Sequence, residues 1–515
     1  MKQGFVKVYY LPLYIAITLV VGIFLGKNFF SGKSSFASSS NANDSLYNEA
    51  LNFAEVLQLV QDNYVDSVVV KDLARKGISD FLHELDPHSN YIPAAKVSEV
   101  NESLEGSFEG IGLQFVLLND TIVAYKAVPK GPAEKAGIQA GDKIVMIDGQ
   151  PASHPNLSSD EVVGKLRGKR GSVVNVKVKR NGQSNLVPIS ITRAEIPLYS
   201  VEAAFMLDST TAYFRIDEFS RTTMDELKST YPYNNSKVKR VIVDLRSNGG
   251  GYLNTCTQLA DEFLKDGELI VYTKDRTKEQ RKMFATAEGK FENVKLYVLI
   301  NGESASASEI FAGAMQDNDR ATIIGSRSFG KGLVQEVFNL SDGSQVRLTI
   351  SRYYTPSGRS IQKPYKDVDY EDYAISQYHT DTLMDTTAYF TKGKRKVFGG
   401  GGIVPDIKVQ DDTLLAWKEL SMLYREGFSR ECAAKCIIEQ GKAWKSLSAK
   451  AFANDKNVDQ VVMKIAKSML KKQLSSAALN YLMRDIKADV IRSLWGNNAF
   501  FEFKLVGDKC LEKIK

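Results

Sequence analysis

Apolar residues recur at helical spacing from Tyr47 to about Leu85, where Leu51, Ala54 and Leu57 and then Leu73, Phe81 and Leu82 return turn after turn. This predicts a small helical region closing at Asp86-Pro87-His88. From Ser103 to Arg193 the period shortens to alternation in short runs broken by glycine, which predicts a β-rich module. Between Thr211 and about Val409, strand-like runs such as Val238 to Leu245 and Lys295 to Ile300 alternate with helical stretches, the texture of an α/β layer. Beyond Asp411 the helical period returns and holds to the end. One further run, Leu11 to Gly26, is almost unbroken apolar and is flanked by Lys2, Lys7, Lys27 and Lys33. A run of this kind exports or anchors a chain, and with no clean cleavage site after it an uncleaved signal anchor is expected.

The expected organisation is a signal anchor over 1–30, a Ser/Asn-rich linker over 31–46, a helical region over 47–102, the β-rich module over 103–193, an α/β core over 194–410 and a helical extension over 411–515. The fold class is α/β and mixed multidomain. Composition adds exclusions: 67 basic against 61 acidic residues leave a net charge of +6, too small an excess to imply nucleic acid. Cys256, Cys432, Cys436 and Cys510 are too scattered for a disulfide framework and are expected as buried thiols or as one bridge to Cys510.

The β-rich module carries Gly110-Ile111-Gly112-Leu113, then Ala136-Gly137-Ile138, Gly141-Asp142 and Ile147-Asp148-Gly149, an order that closely resembles a PDZ domain. The resemblance implies that the backbone amides of Gly110, Ile111, Gly112 and Leu113 receive the C-terminal carboxylate of a polypeptide and that the following strand accepts its tail. The same glycines also suit a plain tight turn.

Candidate chemistry lies in the α/β region. Asp244-Leu245-Arg246-Ser247-Asn248-Gly249-Gly250-Gly251 closes a strand and opens a helix, exposing consecutive amides that suit an oxyanion or a phosphate. Ser304-Ala305-Ser306-Ala307-Ser308-Glu309 starts another helix, so one serine is a nucleophile or merely an N-cap, and the residues alone do not choose among the three. His83, His88, His154 and His379 are the only histidines, and all are expected to be structural or on the surface. Lys331, set between Gly330 and Gly332, can instead serve a serine if burial keeps its amine neutral. Gly325 to Lys331 imitates a P-loop but continues with Gly332 where a Ser or Thr must reach magnesium, so nucleotide binding is not expected.

Taken in order, Leu85-Asp86-Pro87-His88-Ser89, the PDZ-like module, Asp244 to Gly251, Ser304 to Glu309, Phe329-Gly330-Lys331-Gly332, Tyr354 to Gln362 and Gly402-Ile403-Val404-Pro405-Asp406 resemble the carboxyl-terminal processing, or tail-specific, serine proteases. The resemblance covers about residues 48–410. It implies a ClpP/crotonase-like core, Ser306 as nucleophile, Lys331 as base and Gln335 orienting the amine, with the chain bending at Gly332. Ala307 and either Gly250 or Gly251 would donate to the oxyanion. No cofactor or metal is implied. The implied partners are polypeptides recognised by their C-terminal tails, the membrane through the N-terminal segment, and a second copy or an adaptor protein. The implied location is the inner membrane, with the catalytic part on the periplasmic side. A segment over 363–398 and the extension after 411 depart from the pattern, and neither is expected to touch the dyad. A catalytically silent PDZ scaffold is the competing reading, and a serine-directed fluorophosphonate separates the two.

Overall fold

The computed structural model describes residues 40–287, 289–366, 373, 387–409 and 414–514. The expected anchor, most of the linker and most of the 363–398 segment lie outside the described residues. Among the described residues no helix is long and apolar enough to cross a membrane. The chain divides after Ile78. In the first unit a helix over Ser40–Asn63 takes in the end of the stretch expected as linker, because nothing in the polar Ser40–Ser45 run breaks a helix that the following turns establish. A second helix, Val70–His83, begins there, with Gly77 packed near Phe53.

The second unit is built on a six-stranded sheet in the order Val201–Met206, Thr211–Ile216, Arg240–Asp244, Lys295–Ile300, Ala321–Gly325, Ile407–Lys408. Its first pair is antiparallel and the rest are parallel. Thr211–Ile216 is buried along its whole length, as a strand covered on both faces must be. One face packs on Leu259, Phe311 and Met315 of helices Leu253–Asp261 and Ala307–Asp317. The other face meets Phe501, Leu505, Cys510 and Ile514 near the C-terminus. Parallel strands send their C-terminal ends to one edge, so the turns after Asp244 and Ile300 emerge side by side.

A second, antiparallel sheet joins Leu269–Asp275, Gln280–Phe284, Leu333–Asn339 and Gln345–Tyr354 to Asn90–Ile92. Asn90–Ile92 precedes the β-rich module yet pairs with Gln345–Arg347, so the module is an insertion within the core. The module itself is an antiparallel sheet over 113–192 with helices Pro132–Lys135 and Ser159–Leu166. Its strand Val173–Lys179 alternates exposed and buried positions strictly, one face in the core and one in solvent.

The C-terminal extension is a helical bundle whose core includes Cys432, Trp444, Phe452, Val462 and Ile486. Helix Phe428–Trp444 lays Ala434 and Ile438 on Val116 and Val123 of the module's first hairpin. Cys432 and Cys436 are buried in this bundle whereas Cys510 is buried under the six-stranded sheet, so the bridge considered from sequence does not form.

Candidate active site

Two sheet-edge turns and one hairpin meet at a cavity of about 730 Å³ whose walls include Gly251, Ser306, Ala307, Lys331 and Gln335. Ser306 is the N-cap of helix Ala307–Asp317, at φ 56° and ψ −115°. That is a costly conformation for a residue with a Cβ, and one that aims a side chain out of a strand-to-helix turn. Its neighbours are committed elsewhere. Ser304 Oγ donates to Leu245 O at 2.7 Å and Ser308 Oγ to Asn248 O at 3.0 Å, both fully buried. Of the three serines that the sequence left open, only Ser306 lines the cavity.

The glycine run is needed for close approach. A Cβ on Gly250 would stand 2.8 Å from Ser306 Cβ, and one on Gly251 would stand 2.3 Å from Phe219 O. The two are not equivalent as donors. Of the two glycine alternatives, Gly250 has its N–H already bonded to Asn248 Oδ1 at 2.8 Å and is absent from the cavity wall, whereas Gly251 lines it. Among the described residues, the N–H groups of Gly251 and Ala307 donate to no protein acceptor.

Lys331 Nζ donates to Gln335 Oε1 at 3.0 Å, and Gln335 Nε2 donates to His88 O at 2.5 Å. The expected bend lies further along the chain than Gly332, at a bulge between Val334 and Gln335 where pairing with Gln345–Tyr354 shifts register. Burial is the main cause that lowers the Lys331 pKa below its ordinary value, and the positive charge of Arg347 on the cavity wall lowers it further.

Three supports were not found from sequence. Glu309, fully buried, accepts from Ser306 N at 2.9 Å and Lys331 N at 2.8 Å on one oxygen, and from Gly330 N at 2.7 Å and Ser328 Oγ at 2.5 Å on the other. Burial pushes its carboxyl up to about 7, against the opposing pull of those donors. The spacing Ser306-x-x-Glu309 is the capping-box pattern, so the signal was present but read only as a helix start. Tyr353 OH lies 3.1 Å from Ser306 O and 2.7 Å from Lys331 O, a second tie between the same two segments.

The third support is the Asp86 turn. Asp86 accepts from His88 N at 2.8 Å, Ser89 N at 2.9 Å and Ser89 Oγ at 2.7 Å, fixing the carbonyl that orients Gln335. His88 is therefore not a remote residue. Burial, with Lys331 and Lys363 nearby, lowers its pKa to about 3, so its ring is neutral at working pH and bonds Tyr373 OH at 2.9 Å. Tyr373 belongs to the 363–398 segment, so that segment does reach the frame around the lysine, one residue removed from it.

The loop Gly110 to Leu113 is also formed. Ile111 O accepts from Ala133 N at 2.9 Å and Gly112 O from Val128 N at 2.8 Å, with Gly112 at φ 66°. Strand Leu113–Leu118 is an edge of the module's sheet, paired only with Thr121–Ala127 among the described residues. Arg167 at the end of helix Ser159–Leu166 stacks 4.8 Å over Phe108 and is held by Glu102 at 2.6 Å.

A strained serine at a helix start and a half-buried lysine on the wall of the same cleft make a serine-hydrolase type of site in a chain that also carries a PDZ module. The sequence profile of Peptidase family S41 matches residues 210–371, and that of the PDZ domain matches residues 123–180. The carboxy-terminal-processing protease of Bartonella bacilliformis is 36% identical over 352 residues, covering 67% of this chain and 80% of its own. The carboxy-terminal processing protease CtpB of Bacillus subtilis is 32% identical over 310 residues, covering 59% of this chain and just under two thirds, 64%, of its own. Among solved structures, the photosystem II D1 C-terminal processing protease is 26% identical, with coverage of 71% and 94% and a TM-score of 0.35. The chain belongs to the S41 family of serine peptidases, the carboxy-terminal processing proteases.

Proposed function

We propose that the protein is an exported endopeptidase that cuts polypeptides of the cell envelope near their C-terminal tails with a Ser306–Lys331 dyad. The observation that carries this reading is the half-buried amine of Lys331, held by Gln335 in the cavity that Ser306 also lines. Neutral Lys331 takes the Ser306 proton as Oγ attacks the scissile carbonyl, and the same proton then passes to the leaving amine. The Ala307 and Gly251 amides receive the charge that develops on the carbonyl oxygen. The apolar run at residues 11–26, with lysines on both flanks, supports tethering on the outer side of the inner membrane.

The test is the pH dependence of peptide turnover. Because Lys331 must be neutral, kcat/KM should rise with pH along a single limb set below the ordinary lysine range. Removing the charge in Arg347→Met takes away one cause of the lowered pKa, so the limb should move to higher pH. His88 is already neutral above about pH 3 and contributes no limb near neutrality. A limb that disappears on replacing a histidine, or that ignores Arg347→Met, would remove the lysine base.

Tail capture has its own expected outcome. If the amides of the Gly110 to Leu113 loop hold a carboxylate and strand Leu113–Leu118 pairs with the tail, a polypeptide with a free apolar C-terminus should be cut several-fold faster than its amidated twin. Competition between the two, followed by mass spectrometry, measures this. Equal rates would make the module a spacer.

A further inference from the structure

We propose that the C-terminal extension belongs to the catalytic frame, with Asp508 acting as a positioning residue that holds the Asp244–Gly251 turn through Arg246. This rests on the reading of Ser306, Lys331 and Gly251 given above. The turn that presents Gly251 carries positive φ at Ser247, Gly250 and Gly251, so it keeps its shape only if its neighbours impose it. Its root is Asp244, fully buried, which accepts from Tyr213 OH at 2.7 Å, Arg215 Nη1 at 3.0 Å and Arg246 Nη2 at 2.6 Å. Burial alone would raise the Asp244 carboxyl, but Arg246 and Arg215 hold it well below its ordinary range.

Arg246 presents Nε and Nη2 to Asp244, and its remaining Nη1 donates to Asp508 Oδ2 at 2.8 Å. The other oxygen of Asp508 accepts from Cys510 N at 2.8 Å and Leu511 N at 3.2 Å, so the carboxylate that reaches Arg246 also organises the last turn of the chain. That end is itself fixed to the sheet. Leu505 and Cys510 are buried against it, and the Asn498 carboxamide bonds both Ala204 N, at 3.0 Å, and Ala204 O, at 3.1 Å, on its edge strand. Asp508 is thus a fixed point 262 residues along from Arg246. Without it the guanidinium has one anchor where it now has two, and the main chain from Arg246 to Gly251 gains freedom where an oxyanion donor must be placed to within tenths of an ångström.

The experiment is a double-mutant cycle on the full chain with Asp508→Asn and Arg246→Lys, since lysine keeps the charge but cannot hold both carboxylates at once. Asp508→Asn should lower kcat about tenfold with KM within about twofold, a part of the cost of losing an oxyanion donor outright. Labelling by a fluorophosphonate should slow by a similar factor while its final stoichiometry stays at wild type, a split that general damage to the fold would not give. Adding Asp508→Asn to Arg246→Lys should cost little more. Ser306→Ala is run alongside: if it still turns over peptide, the underlying reading fails. If it is inactive while Asp508→Asn matches wild type, or while the two losses simply multiply, the positioning role is overturned. A loss of labelling stoichiometry in place of rate would overturn it too.

Discussion

Ser306→Ala and Lys331→Ala should each bring peptide turnover down to near background, a loss on the order of 10⁴-fold or more, because proton transfer needs both members of the pair. The unfolding midpoints should stay close to wild type. Ser306→Ala removes only a half-buried hydroxyl, and Lys331 is bound through its backbone as well as its amine. The contrast with the flanking serines makes this decisive. Ser304→Ala and Ser308→Ala each delete a buried hydrogen bond, to Leu245 O and Asn248 O, and should lower stability by about 1 kcal/mol while leaving substantial turnover. Steady-state assays with thermal unfolding of all four variants check the assignment. Inactivity of Ser304→Ala or Ser308→Ala beside an active Ser306→Ala would shift the nucleophile.

The second large effect should come from Glu309, which touches neither substrate nor amine. Glu309→Ala leaves the Ser306, Gly330 and Lys331 amides and the Ser328 hydroxyl without their acceptor inside the core. On the order of 3–5 kcal/mol of stability should go with them. At temperatures where the variant is still folded, kcat should fall by about 10²-fold, the penalty for misplacing reacting groups by an ångström. Glu309→Gln keeps one oxygen for Ser306 and Lys331 but turns an NH₂ toward Gly330 or Ser328, so it should lie between the two. The carboxyl also gives a signature in stability. Its folded pKa, about 7, stands above the ordinary glutamate value, so its contribution is fully present below that ordinary value and is lost as pH rises through about 7. Wild-type melting should drop across that window, and Glu309→Gln should flatten the drop. A Glu309→Ala protein with unaltered kcat would show that the anchor is dispensable.

Much of the site could be read from sequence because its pieces are local. The glycine run, the serine-bearing helix start and the lysine between glycines each announce a turn chemistry within a few residues. What escaped is what the fold brings from a distance. His88 O reaches Gln335 across 247 residues, and Tyr353 ties Ser306 to Lys331 from a strand whose sequence reads simply as β. What separates Gly250 from Gly251 is that Asn248 has already taken the amide of Gly250, a matter of rotamer and not of spacing. Glu309 was visible as a helix cap, but its reach to Gly330 and Lys331 required the hairpin to fold back over the helix start. Among larger elements, the strands of the core and the alternation of the PDZ module followed their hydrophobic periods. The end of the expected linker proved helical instead, because polar residues ahead of an amphipathic run can extend it without breaking it.

The packing of helix Phe428–Trp444 on the hairpin of Val116 and Val123 bears on how this protein can be taken apart. Ala434 is fully buried there, and Lys126 reaches across to the carbonyl of Arg492 at 3.2 Å. Cutting out residues 103–193 would therefore strip the cover from an apolar helix face, and the shortened chain would be prone to self-association whatever the module does for substrates. Exchange of this module for a relative's meets the same obstacle unless the helix surface travels with it. The module and the C-terminal bundle share this seam, and the chain beyond the bundle is itself tied to the core sheet through Asn498 and Asp508, so substitutions confined to the Gly110 to Leu113 loop and strand Leu113–Leu118 disturb the fold less than any exchange of parts.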